Sequence, residues 1–285
     1  MKVAVVTDTN SSISPKEAEE NGIYVVPMPF MINDKEYFED INLTHEEFYQ
    51  MLEEGASVVT SQPSPEAVMN IWDEALKEYD ELVYIPMSSG LSGSCQTAMM
   101  LADDYENQVY VVNNQRISPT QRDSVLEALK MAQNGADAKT IKNVLEETKF
   151  DSSIYITVGT LEYLKRGGRI TPAVATIGNL LKIKPILSIH GEKLDYFATA
   201  RTINSAKPTM INAIKNDMAK LIGCDDASRY NISVAYSNNV EDADKFAEEL
   251  KAVFPDNDIF VTPLSLSVSC HIGPLSLAIA VTKKL

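Results

Sequence analysis

The sequence predicts an α/β protein of two domains. Residues 1–150 read as an α/β domain built on a parallel sheet, and residues 151–285 as an α+β domain with a mixed or antiparallel sheet. Three observations predict this. Short apolar runs alternate with amphipathic stretches through the first half, the pattern of β-α-β units. Hairpin-like pairs replace that alternation in the second half. Between the two styles lies "ETKFDSS", with no Gly- or Pro-rich linker.

Each element has its own warrant. "VAVVTD" (3–8) is a short apolar run ending in polar residues, like a buried parallel strand. "IYVVPMPFMI" (23–32) is extended, and its two prolines argue against a central position in a sheet. Thr44 and Glu47 form a capping box before Phe48, Met51 and Leu52, and Gly55 closes that helix. "SVVTSQPSP" ends a strand, after which Ser64 caps a helix and Pro65 takes its first position. Val68, Ile71, Trp72, Ala75, Leu76 and Tyr79 then fall on one apolar helix face. "ELVYIPM" (81–87) is the next strand. It runs through "SSGLSGS" into a helix carrying Cys95, Ala98, Met99 and Ala102. "VYVVNN" (109–114) and a helix over 119–133 repeat the unit.

In the second half "SIYITVG" (153–159) is a strand, followed by a helix in "TLEYLKRGGRITP" that Gly167 and Gly168 stop. "KPILSIHGEKLDYFAT" (184–199) predicts a hairpin turning at His190–Lys193. "RYNISVAYS" and "DIFVTPLSLSVSCHIGPLSLAIAV" read as strands placed around a helix at 240–254.

Composition narrows the function. The 285 residues are 45% hydrophobic and 23% charged, with a formal net charge of −15, so binding driven by phosphate neutralisation of nucleic acid is excluded. Cys95, Cys224 and Cys270 lie far apart without Cys-x-x-Cys spacing and read as reduced core residues. His45, His190 and His271 show no metal-ligand spacing. "MKVAVVTDTN" reaches Asp8 after a short apolar run, unlike a signal peptide, and no apolar window of about 18 residues occurs. A cytoplasmic protein without stable membrane insertion is expected.

Hydroxyls cluster at strand ends in "TDTNSS" (7–12), "TSQPS" (60–64) and "SSGLSGS" (88–94). Ligands of open parallel sheets bind beyond the carboxyl ends of strands, where helix N-termini favour anions. Ser64 is accounted for as a cap. One cap cannot explain Ser88, Ser89, Ser92 and Ser94 together. Neither G-x-x-x-x-G-K-[ST] nor G-x-G-x-x-G occurs, so nucleotide phosphates lack their usual cradle. "GLSG" is one residue short of a nucleophile elbow. A serine hydrolase using Ser92 and His271 stays open, although no acidic orienting residue is indicated, as does a small-phosphate binding module.

Six motifs in order carry a resemblance: "VTDTNSSIS", "TSQPSP", "SSGLSGSCQTA", "LKRGGRIT", "LLKIKPIL" and "HIGPLSLAI". Together, across essentially the whole chain, they resemble the DegV family of bacterial fatty-acid-binding proteins. The resemblance implies the two-domain DegV/EDD-like fold and a bound long-chain fatty acid, with no other cofactor. It also implies a binding subunit, not an enzyme, because some members carry the acyl group for a separate, ATP-using fatty acid kinase. The family's carboxylate-binding hydroxyls fall on Thr60 and Ser92. Ser61 and Ser89 lie beside them in the same motifs, and the family histidine falls on His271. The arginine after the second-domain hairpin falls on Arg201, which with His271 would sit near the mouth and assist phosphate transfer or partner docking. Where the family carries Gly or a very small residue, this chain has Leu275, which would narrow the backbone approach to the head group.

A tail pocket needs apolar side chains, and "TPAVATIGNLLKIKPIL" (171–187), "FMI" and "SLAIAV" can supply them. At about 0.8 kcal/mol per buried CH₂, ten methylenes contribute roughly 8 kcal/mol gross. "LKRGGRI" sets a helix stop and a turn, and its Arg166 and Arg169 form a basic patch on an acidic protein.

Overall fold

The computed structural model describes residues 2–169, 183–220, 223 and 226–285. Strand β1 (Val3–Asp8) is buried along its whole length and lies inside a four-stranded parallel sheet. Its neighbours are β2 (Tyr24–Val26) and β6 (Glu81–Ile85), and β7 (Val109–Val111) follows β6 at the far edge. Alternate residues serve opposite faces. Val3, Val5, Val83 and Ile85 pack under α5 (Pro119–Gln133) and α6 (Ala138–Glu147). Ala4, Val6, Leu82 and Tyr84 pack under α3 (Pro65–Ala75) and α4 (Ser94–Ala102), with Trp72 fully buried among them.

"IYVVPMPFMI" is not one strand. Pro27, which has no N–H for the ladder, ends β2, and the chain starts β3 (Pro29–Ile32) in a different sheet. There β3 is central, between β4 (Lys35–Phe38) and β5 (Val58–Thr60), in a small antiparallel sheet covered by α2 (His45–Glu53). Thr60 therefore ends a strand of this small sheet, not of the parallel one. The predicted capping box of Thr44 and Glu47 is present in full.

The second half forms a six-stranded mixed sheet. Its order is β10 (Lys193–Ala200), β9 (Lys184–His190), β8 (Ser152–Thr157), β13 (Ser276–Lys283), β11 (Tyr230–Ser237) and β12 (Ile259–Pro263). Only β11 and β12 are parallel, joined by α9 (Val240–Val253); the other pairs, including the predicted β9–β10 hairpin, are antiparallel. One face carries Tyr155, Ile186, Val234, Ile279 and Val281 and is sealed by α8 (Ile203–Lys220) and α9. The other face carries Ile154, Ile156, Leu187, Ala235, Ala278 and Ala280, which share one apolar cluster with Met28, Met87 and Ile117 from the carboxyl ends of the parallel sheet. The architecture is the α/β fold with one parallel and one mixed sheet that the sequence predicts.

The stretch 259–283 holds a helix between its strands, where the sequence pattern reads as strands throughout. This is α10 (Leu266–Ile272), capped by Ser265, whose Oγ accepts from the Val268 N–H at 3.4 Å. α7 (Glu162–Gly167), stopped at Gly168, packs beside it. Among the described residues no helix is long and apolar enough to cross a membrane.

Candidate ligand-binding site

A cavity of about 260 Å³ opens between the small sheet, the carboxyl ends of the parallel sheet and the alanine-bearing face of the mixed sheet. Its walls are built from small side chains where space is needed. Ala235 pairs with Ala278 across β11 and β13, and Ala278 and Ala280 pair in turn with Ile156 and Ile154 of β8. Along β11 and β13 these positions carry only methyl groups, so a hollow remains above them, bounded by the larger Ile154 and Ile156 of β8. Of the stretches expected to line a tail pocket, "SLAIAV" contributes Ala278 and Ala280. Phe30 and Ile32 of "FMI" belong to the core of the small sheet instead, and residues 171–182 lie outside the described residues.

The rim is polar. Thr60 Oγ1 and His271 Nε2 are 2.8 Å apart, which joins the end of β5 to the last turn of α10. Ser92 faces the same cavity, and its Oγ accepts the Ser94 N–H at 3.2 Å at the start of α4. In that bond the hydroxyl uses a lone pair, which leaves its own proton available to a ligand. Ser61 and Gln62 complete this side of the rim.

Burial, joined by the charge of Arg169, pushes His271 down to about 4, so the imidazole is neutral near pH 7. Its Nδ1 has no hydrogen-bond partner among the described residues and lies hard against Gly167, where an added Cβ would come within 2.1 Å of it. The second glycine pair in the motifs serves approach as well as turning: a Cβ on Gly90 would sit 2.2 Å from the Glu192 carbonyl, so the "SSGLSG" loop lies directly on the β9–β10 turn.

α10 is held from the small-sheet side. Glu39 accepts the Leu266 N–H and bonds His45 Nε2, each at 2.8 Å, and the Tyr49 hydroxyl donates to Ser269 Oγ at 2.9 Å. Burial disfavours charge on His45, but the bond to Glu39 and its negative charge outweigh that and raise its pKa. Asp8 anchors the opposite wall by accepting from the Met87 and Asn10 N–H groups and from Gln121. Its burial still pushes the carboxyl up to about 6.

The structure brings Thr60, Ser61, Ser92 and His271 together and separates the remaining expected residues from them. Ser89 lies off the cavity and donates to Glu192 Oε1 at 3.4 Å, because the loop turns its side chain toward the hairpin. Arg201 is exposed at the start of α8, its N–H bonded to Ser205 Oγ, and is not part of the cavity wall. Arg169 takes the rim position. Its guanidinium donates to the Leu91 carbonyl at 3.4 Å and to the Gly167 carbonyl at 2.6 Å. Arg166 instead pairs with Glu162 at 3.4 Å, so the two arginines of "KRGGR" do not act as one patch. Leu275 is half-exposed, holds a left-handed backbone at φ 61° and does not line the cavity, so it does not narrow the backbone approach there as the sequence pattern led one to expect. Asn10, Ser118 and Ser267 also line the interior, although sequence reasoning gave none of them a ligand role.

No carboxylate among the described residues is bonded to His271, and His271 bonds Thr60 and not Ser92. No group of three His, Cys, Asp or Glu among the described residues could hold a metal ion.

Comparison with known proteins places this geometry. A family model described as "Uncharacterised protein, DegV family" matches residues 2–284. A DegV domain-containing protein of Staphylococcus aureus (strain N315) is 30% identical over 283 residues, 99% of each chain. Protein DegV of Bacillus subtilis is 30% identical over 282 residues, 98% of each chain. Among solved structures, a DegV family protein from Thermus thermophilus, described by its fatty acid binding, superposes with a TM-score of 0.90 at 28% identity, covering 99% of this chain and all of its own. DegV of Bacillus subtilis, described as a fatty acid binding protein, gives 0.87 at 29% identity with full coverage of both chains.

Proposed function

The chain belongs to the DegV family, and on that premise we propose that it binds a long-chain fatty acid. The carboxylate is held by Thr60 and Ser92 beside His271, and the tail lies over the alanine face of the mixed sheet. The observation that carries this reading is the shape and chemistry of one cavity: two hydroxyl groups at a half-exposed rim, and a largely apolar interior in which Ala235, Ala278 and Ala280 leave room. The relatives described as fatty acid binding support it.

The chemistry is consistent with an ionised acid. A carboxylate needs donors, and Thr60 can give its proton only if His271 carries hydrogen on Nε2 and donates to Thr60 Oγ1. That tautomer leaves a bare lone pair at Nδ1, the atom against Gly167 that has no partner among the described residues. A neutral His271 and a cationic Arg169 then flank the anion. Each charge-assisted hydrogen bond is worth about 1.5–3 kcal/mol, and the buried tail supplies the larger share of affinity.

In this reading the protein is a carrier and not itself an enzyme. It presents the exposed carboxylate to a separate kinase for acyl-phosphate formation, with Arg169 at the rim and Arg201 on the surface available to that partner. The serine hydrolase alternative lacks a nucleophile–base contact, since His271 bonds Thr60. Organic extraction and mass spectrometry of the purified protein test the proposal: a stoichiometric long-chain fatty acid is expected. Its absence, together with thermal stabilisation by inorganic phosphate but not by palmitate, would replace the proposal with a phosphate-binding module.

A further inference from the structure

The cavity is not apolar throughout its depth. Inside the rim, three polar side chains of very low exposure line it: Asn10 at 1%, Ser118 at 3% and Ser267 at 7%. They adjoin one another. The Ser118 N–H donates to the Asn10 carbonyl at 2.9 Å, and the Ser267 hydroxyl donates to Asn10 Oδ1. Ser265 donates to the same oxygen at 2.7 Å, so both serine protons are committed and the orientation of the Asn10 amide is fixed.

What remains uncommitted is chemically specific. The Ser118 hydroxyl caps nothing and has no partner among the described residues. Ser267 Oγ keeps its acceptor lone pairs. Asn10 Nδ2 gives one hydrogen to Met87 Sδ at 2.9 Å, a weak acceptor, and retains the other. Buried polar groups are ordinarily satisfied, and a saturated chain lying here would shut all three away from water without partners.

The geometry points to a hydroxylated acyl chain as the ligand class: a fatty acid bearing a hydroxyl that donates to Ser267 Oγ and accepts from Ser118 or Asn10. This rests on the fatty-acid reading above. The spacing also places the oxygen. Ser267 and His271 are four residues apart on α10, about 6 Å along its axis. An extended chain advances roughly 1.2 Å per bond, so the hydroxyl belongs roughly five carbons from a carboxylate held beside His271.

The test is competition for the delipidated protein among stearate, 6-hydroxystearate and 12-hydroxystearate. 6-Hydroxystearate is expected to bind roughly ten-fold tighter than stearate, the effect of one to two net hydrogen bonds, and 12-hydroxystearate weaker than stearate. Ser118→Ala should invert the first order by weakening 6-hydroxystearate and strengthening stearate; Ser267→Ala gives a second reading of the same effect should that variant fail to fold. Stearate binding as tightly as 6-hydroxystearate, with the order unmoved in either variant, overturns the inference and leaves the carrier reading intact. Failure of all three acids to bind overturns both.

Discussion

The two faces of the six-stranded sheet are cut from the same strands and have opposite fates. On one face Tyr155, Ile186, Val234, Ile279 and Val281 meet two helices and leave no space. On the other, one residue along, Ala235, Ala278 and Ala280 leave the hollow that the parallel sheet's carboxyl ends close over. Period-2 alternation lets one strand serve both ends. Side-chain volume, rather than polarity, separates core from site: bulk seals the first face, and its absence at the three alanines of β11 and β13, beside Ile154 and Ile156, opens the second.

The strongest way to break this contrast is to remove it. Ala278→Phe puts bulk into the hollow, so the protein should fold yet purify without fatty acid; a variant that still carries a stoichiometric lipid would mean that the tail lies elsewhere. The converse change acts on the sealed face. Ile279→Ala removes a fully buried side chain and should cost about 2–5 kcal/mol by urea unfolding while the lipid cargo is kept. Loss of cargo in that variant would show that the faces are not independent.

The rim sharpens the comparison on its polar side. Thr60→Ala combined with Ser92→Ala deletes both hydroxyl donors and should weaken fatty-acid binding by about 3 kcal/mol, roughly a hundredfold, with the tail contribution left in place. Full retention of affinity in the double variant would move the head group to other donors.

How much of this was legible beforehand follows from distance along the chain. Thr60 and Ser92 sit in short motifs, "TSQPS" and "SSGLSGS", which mark hydroxyls at strand ends, while the resemblance picks these two among them, and both line the cavity. α10 was not legible, because "LSVSCHI" alternates apolar residues with serine and so mimics a strand. Only tertiary contact resolves it: Leu266 and Cys270, four apart, pack into the small sheet, while Ser267 and His271, also four apart, face the cavity. The same holds for the arginines, since whether Arg169 or Arg201 reaches the rim depends on where the α7 turn lands against Leu91. The alanines of β13 read correctly as strand residues, but the room above them is a property of two sheets facing each other.

The smallest effect distinguishes a buried neutral histidine at the rim from an exposed one. His271 has its pKa depressed to about 4 from 6.5, so between those values the unfolded chain binds a proton that the folded protein refuses. Stability assigned to His271 is therefore present above pH 6.5 and is lost as pH falls toward 4, by about 2 kcal/mol at pH 5. The total profile hides this, because Asp8 and Asp123 are both raised to about 6 by burial and act in the opposite sense. Their folded forms hold protons that the unfolded chain has released, and the stability they confer is lost as pH rises through about 6. The difference between two proteins cancels the aspartates. His271→Gln keeps a hydrogen-bonding group for Thr60 but cannot titrate, so its stability relative to the parent, read from urea midpoints, should improve by about 2 kcal/mol between pH 7.5 and pH 5. A difference that stays constant across that range would mean that His271 protonates freely in the fold, and that the rim is wetter than its packing against Gly167 implies.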